Sequence, residues 1–311
     1  MKLGLQISRF HWPGGPLQTA ETLASVARAA DDAGFASIWL MDHLFQISSI
    51  GKAEEPMLEA YTTLGFLAAH LTRGTPVVHA SKGLEYPSLS RLSEVIAQEL
   101  GRDPSRVAAL SGPTHAEEVG RGLPTAAVVA CLDASVAQVF RDLLHGPTFR
   151  VYTSSDIVGV ELCGALKNVI ALATGASDGL GYGDNSRAAL ITRSLVEIGR
   201  LVQAAGGDAR SVAGLAGLGD VVVTCTSSHS RNRWAGEQIG RGRIPAEIVA
   251  STPKVIEGIP ATLAAVELGR RYGVDLPVCM QVDQVINHGA PVREILSRLM
   301  ARDATVELPS P

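Results

Sequence analysis

An α/β sheet domain followed by an all-helical domain is the fold class this sequence predicts, and three observations predict it. Up to about residue 150, short apolar runs alternate with stretches of helical period. From Asp156 onward the helical period dominates, in stretches too long for strands. The composition fits close packing: hydrophobic residues reach 46%, aromatics only 5%, and 32 glycines let helices and strands approach one another. With 311 residues the chain is long enough to bury a sizeable core.

The elements follow in order. Residues 2–7 read as a short apolar strand and 13–16 as a turn. Residues 17–33 read as an amphipathic helix, with Leu23, Val26 and Ala30 on one stripe and Gly34 as its stop. Residues 36–41 form a second strand that ends at Asp42-His43, and 59–71 a second helix. This βαβα order predicts parallel pairing. A break follows at Arg73-Gly74-Thr75-Pro76. Strands are then expected over 76–81, 108–111 and 125–130, with helices over 89–100 and 134–144. The last half reads as helices over 157–174, 186–205, 245–249, 259–272, 277–287 and 291–300.

Several function classes drop out. A formal net charge of -4 argues against a nucleic-acid or membrane surface, and no apolar run reaches the roughly 20 residues of a membrane helix. The N-terminus has no long apolar segment of the signal-peptide kind, so a cytoplasmic location is expected. Cys131, Cys163, Cys225 and Cys279 are scattered, and the histidines show no ligand spacing, so neither disulfides nor a metal are expected.

Four stretches carry chemistry. Lys82-Gly83-Leu84 leaves the end of a strand, where ligands gather in parallel sheets. Ser111-Gly112-Pro113-Thr114-His115-Ala116 leaves the next, with Thr114 able to cap the turn that follows. Lys167-Asn168 lies well inside an apolar helix. Cys163 and Ile170 share the face of Lys167, which is either a desolvated proton-transfer group or a lysine whose head reaches water. Finally, Asp220 opens a strand-like run, 221–226, and Ser230-Arg231-Asn232 gathers a hydroxyl, a guanidinium and an amide suited to phosphate. No strand is followed by G-x-G-x-x-G, so the usual dinucleotide fingerprint is absent.

Taken in order, these segments resemble the bacterial NAD(P)-dependent glycerol-3-phosphate dehydrogenases. The resemblance runs from about Thr75 to about Met300. It rests on Ala80-Ser81-Lys82-Gly83-Leu84-Glu85, Leu110-Ser111-Gly112-Pro113-Thr114, Gly164-Ala165-Leu166-Lys167-Asn168-Val169, Gly179-Leu180-Gly181-Tyr182-Gly183-Asp184-Asn185, Gly217-Leu218-Gly219-Asp220, Ser230-Arg231-Asn232 and Val255-Ile256-Glu257-Gly258. It implies that Lys167 is the proton donor and acceptor at the substrate oxygen on C2. It implies substrate contacts from Lys82, Gly112, Thr114, Asn168, Asp220, Ser230, Arg231 and Asn232. It implies contacts to NAD or NADP from Lys82, Ala116, Arg231, Val255 and Glu257.

Residues 1–72 instead resemble the start of a luciferase-like monooxygenase of the F420- or flavin-dependent kind. The matching residues are Met1-Lys2-Leu3-Gly4-Leu5-Gln6, Ala30-Asp31-Asp32-Ala33-Gly34-Phe35, Trp39, Asp42-His43, Glu55-Pro56-Met57 and Thr62-Thr63-Leu64. The family's glycine-rich first half of the nucleotide domain is missing. The expected architecture is therefore a partial or hybrid Rossmann-like parallel sheet followed by an all-helical domain. Its expected divisions are a βαβα fragment over 1–73, the second half of a nucleotide domain over 74–150, and a helical substrate domain over 151–311. The expected partners are a small phosphorylated substrate and at most a second copy of the chain. Three functions follow: the dehydrogenase of phospholipid precursor synthesis, a chain that keeps only substrate-phosphate binding, and an F420- or flavin-dependent oxidoreductase whose barrel is incomplete.

Overall fold

The computed structural model describes residues 4–7, 12, 16–34, 37–40, 75–252, 255–301 and 307. The helix expected over 59–71 and the pair Asp42-His43 lie outside the described residues. At the N-terminus, β1 (Gly4–Ile7) and β2 (Ser37–Leu40) pair in parallel, linked through α1 (Thr19–Asp32). Ile7, Leu23 and Ala27 form a small core of their own.

The main sheet holds β3 (Val77–His79), β4 (Val107–Ser111), β5 (Thr125–Ala130) and β6 (Phe149–Ser154), in that order. Among the described residues no pairing joins it to β1–β2, which stand as a separate two-stranded sheet. A second difference is direction. β3 and β4 are parallel, as are β5 and β6, but β4 and β5 run antiparallel. The segment between them holds only the four-residue helix α3 (Ala116–Val119), whereas a parallel return needs a full crossover. β6 was not foreseen. Its sequence, FRVYTS, buries only Val151 and so lacks an apolar run.

Both faces of the sheet are covered, as successive residues point to opposite sides. Ala108, Val129 and Val151 meet Val136 and Phe140 of α4 (Ala134–Leu144). Ala109, Val128 and Ala130 join the larger core built around α5 (Ile157–Gly179). Asp156 starts α5 by accepting from the Gly159 N–H. The helix is apolar enough by length and composition to cross a membrane, yet 89% of its most apolar window is buried inside the protein. A helix that is apolar all round belongs at a core centre. α6 (Asp184–Ala204), α7 (Asp220–Thr226), α8 (Arg231–Gly240), α10 (Gly258–Tyr272) and α11 (Pro277–Ile286) pack on it, with α9 (Pro245–Ala250) against α8 and α12 (Val292–Met300) against α11.

The run 221–226, expected as strand-like, is helix α7, entered through a π-helical turn at Leu215–Gly219. Valine's strand preference is small beside the burial of Val221, Thr224 and Cys225 in the helical core. The α5–α8 crossing is closer than any side chain allows. Gly175 and Gly179 of α5 face Gly236 and Gly240 of α8. A Cβ at any of the four would lie 2.1–2.2 Å from a carbonyl oxygen of the other helix.

One buried acid makes the helical domain pH-sensitive. Glu197 of α6 accepts from the Val278 and Cys279 N–H groups at the start of α11. Burial pushes its carboxyl up to about 7, against those two bonds. A carboxyl raised in the fold stabilises fully below its unfolded value of 4.5 and loses that contribution as pH rises through about 7. Raising the pH from 5 to 8 is thus expected to cost on the order of 1–3 kcal/mol through this group. Denaturant melts of the parent and Glu197→Gln should show the dependence flattened in the variant, and parallel pH curves would refute the assignment.

Candidate active site

β3 and β4 run parallel, so the segments that leave their carboxyl ends emerge on one side of the sheet. One carries Lys82 and the other Ser111-Gly112. Gly112 has φ +136°, and a Cβ there would lie 3.1 Å from the Ala127 Cα, so the turn over β5 requires glycine. α5 passes beneath both segments. A Cβ on its Gly164 would meet Ser111 Oγ at 3.0 Å and Lys82 Cγ at 3.6 Å, which makes this glycine the seat of the Lys82 stem.

One turn further along α5 lies Lys167, only 7% exposed. Its ammonium donates to Asp220 Oδ1 at 2.8 Å and to Thr224 Oγ1 at 2.8 Å. Lys82 Nζ donates to Asp220 Oδ2 at 2.6 Å and to the Gly112 carbonyl at 3.0 Å. A single buried carboxylate therefore holds two lysines, one on each oxygen. Burial pushes the Lys167 amine below the ordinary lysine value, and the neighbouring Lys82 charge pushes the same way against the pull of Asp220. Lys167 is thus the desolvated group and not the lysine that reaches water. Thr224 was hidden in an apolar run, with no sequence signal to single it out.

A second chain of contacts starts at the next residue. The Gly258 N–H donates to Asn232 Oδ1 at 2.9 Å, which fixes that amide's orientation. Asn232 Nδ2 then donates to Asn168 Oδ1 at 3.0 Å, and Asn168 Nδ2 to Glu257 Oε2 at 3.3 Å. Glu257 Oε1 pairs with Arg231 Nη2 at 3.1 Å. Ser230 caps α8, its Oγ accepting from the Arg233 N–H at 3.2 Å, so the serine sets where Arg231 and Asn232 begin their helix.

Not every expected residue joins. Thr114 does not cap α3; its hydroxyl donates to the Gly112 carbonyl at 3.3 Å, and His115 takes the cap position. Ala116 and Val255 are exposed, and no described contact brings either into the cluster. His115 lies in a stretch that the sequence singles out, but its role is not legible there. It lies close enough to Lys167 and Asp220 to feel both charges, and burial followed by Lys167 lowers its basicity. His115 Nε2 and Ser111 Oγ are buried without hydrogen-bond partners among the described residues. Buried polar atoms left open mark a place that a ligand or water completes.

The arrangement can bind an anion through Lys82 and Arg231 and exchange a proton through Lys167. The unpartnered Ser111 hydroxyl and His115 Nε2 and the side-chain-free Gly112 are groups that a cofactor could meet. The described residues offer no glycine-rich turn for the pyrophosphate.

Residues 156–297 match the family model for the NAD-dependent glycerol-3-phosphate dehydrogenase C-terminus, and residues 58–137 match the model for the N-terminus of the same family. The second match starts upstream of the boundary expected at residue 74. A glycerol-3-phosphate dehydrogenase (NAD(P)+) of Moorella thermoacetica is 51% identical over 249 residues, covering 80% of this chain and 73% of that relative. Its counterpart in Pelodictyon phaeoclathratiforme is 46% identical over 247 residues, covering 79% and 74%. The crystal structure of glycerol-3-phosphate dehydrogenase from Coxiella burnetii superposes with a TM-score of 0.72 at 39% identity, covering 78% of this chain and 74% of that one.

Proposed function

The chain belongs to the NAD(P)-dependent glycerol-3-phosphate dehydrogenase family, and we propose that it interconverts sn-glycerol 3-phosphate and dihydroxyacetone phosphate in the cytoplasm, serving phospholipid precursor synthesis. The observation that carries this reading is the buried Lys167–Asp220–Lys82 cluster. Lys167 gives a proton to the C2 oxygen when the ketone is reduced and takes it back when the alcohol is oxidised. Asp220 and Thr224 hold the ammonium in place for that transfer. Lys82 stands where it can polarise the same oxygen, and Arg231 exchanges part of its bond with Glu257 for the substrate phosphate. Asn168 and Asn232, bonded to each other, fix the distance between the proton donor and the phosphate end. Gly112 and Thr114 border the substrate. NAD or NADP, when bound, would supply the hydride acceptor or donor, and Lys82, Ala116, Arg231, Val255 and Glu257 are the residues that would hold it.

A second reading, a chain that binds the substrate phosphate without efficient turnover, is favoured by one observation. The described residues lack a pyrophosphate cradle. Two titrations separate the readings. Glycerol 3-phosphate is expected to raise the melting temperature, with the rise smaller in Arg231→Ala. NADPH is expected to bind weakly, as read by its fluorescence. Turnover of dihydroxyacetone phosphate with NADPH supports the enzyme. A melting shift with no change in nicotinamide fluorescence supports binding alone, and no shift with saturating ligand removes both.

A further inference from the structure

A single carboxylate grips both ends of the loop that carries Lys82. The loop leaves β3 at His79 and enters α2 (Leu92–Glu99) through Arg91. Glu161, on α5 six residues before Lys167, is 6% exposed and reaches both ends. Its Oε1 accepts from the Ser93 N–H at 2.8 Å and lies 3.2 Å from His79 Nε2, without hydrogen-bond geometry. Its Oε2 accepts from Arg91 Nη1 at 2.8 Å and from Ser93 Oγ at 2.5 Å. Burial raises the Glu161 carboxyl, but the His79 imidazole and both Ser93 donors outweigh it and hold the group below its ordinary value, so it stays charged. The Leu84–Arg91 bridge closes the loop above this grip.

We infer that Glu161 is a positioning residue: by clamping the two ends of the Lys82 loop to the helix that bears Lys167, it sets Lys82 on Asp220. Glu161, Gly164 and Lys167 follow one another at intervals of three along α5, giving a clamp, a seat and a proton donor on one flank. Lys82 lies three residues beyond His79, so its path is fixed at one side by the clamp and at the other by the Gly164 seat. A surface ion pair would not do this. The grip has two oxygens, three donors from the start of α2, the His79 ring of β3 against one oxygen, and almost no solvent to replace them.

The inference rests on the proposed site, and the test separates the two. Glycerol 3-phosphate affinity is measured by calorimetry on the full chain for the parent, Lys82→Ala, Glu161→Gln and the double variant. Removing a charged donor from a bound phosphate ester is expected to weaken affinity about tenfold or more. Glu161→Gln is expected to cause most of the loss seen in Lys82→Ala, and the double variant little more than Lys82→Ala alone. Additive losses would mean that Glu161 supports the fold in general and would overturn the inference. Peptide-resolved acetylation of Lys82 gives a readout independent of ligand. With its pairing to Asp220 loosened, Lys82 should label several-fold faster in Glu161→Gln than in the parent, at temperatures where both are folded by circular dichroism. Equal labelling rates would overturn the positioning role. If the parent binds no glycerol 3-phosphate, the proposed function falls and the labelling comparison alone decides for or against the clamp.

Discussion

Lys167→Ala lowers turnover of dihydroxyacetone phosphate by roughly 10²- to 10⁴-fold, the weight that general acid–base catalysis usually carries. The oxygen on C2 becomes an alkoxide as hydride arrives, and its proton must come from a group within hydrogen-bond reach. Lys167 is the only lysine on α5, and its ammonium is already desolvated and aimed by Asp220 and Thr224. Lys167→Arg should not restore the rate, because a guanidinium does not release its proton near neutral pH. Phosphate binding should persist in both variants, since Arg231 and Asn232 lie on α8. Single-turnover rates beside a glycerol 3-phosphate melt check this. A Lys167→Ala variant that keeps the parent rate would move the assignment to Lys82.

Gly236→Ala should cost about 3 kcal/mol or more of stability, the upper end for overpacking. A methyl there would sit 2.2 Å from the Leu172 carbonyl oxygen, and the obstacle is backbone, which cannot swing aside. α8 would have to lift off α5. Because α8 begins with Arg231 and Asn232, the same displacement would pull Asn232 from Asn168 and weaken phosphate binding. Gly183→Ala makes a control, for a Cβ there meets nothing within 4 Å. Denaturant melts of both variants, with ligand affinity measured below the transition, test the pair. A Gly236→Ala protein as stable as the control would show that the crossing can relax.

The helical half and the identity of the main polar groups could be read in the sequence because they sit in contiguous motifs. Lys167-Asn168 lies in a helix whose apolar period is unmistakable, and Ser230-Arg231-Asn232 is a local cluster. What could not be read is who pairs with whom. Lys167 and Asp220 are 53 positions apart, Lys82 and Asp220 138 apart, and nothing in either segment names its partner. Glu161 looked like an ordinary member of an apolar helix and Thr224 like one of a strand-like run, because a side chain's role as a clamp or a holder exists only once other elements arrive. The errors have the same origin. The valines after Gly219 favour strand locally, but the core around α5 makes them a helix. β6 carries almost no apolar signal, and it is held by its parallel ladder to β5. The antiparallel pairing of β4 and β5 depended on a connection whose only described helix is the four residues of α3.

α5 also sets conditions on how the chain is made. A segment of this length and apolarity is the kind that insertion machinery and chaperones bind. Its covers α7, α8, α10 and α11 start at residues 220, 231, 258 and 277, so synthesis must run on for about forty residues past Gly179 before the first of them begins. At roughly 5–20 residues per second that is several seconds during which the helix that bears Lys167 has, among the described elements made by then, chiefly the sheet and α6 to lie against. The sheet face that carries Ala109, Val128 and Ala130 is then expected to shield part of α5 from solvent until the rest of the domain has been translated.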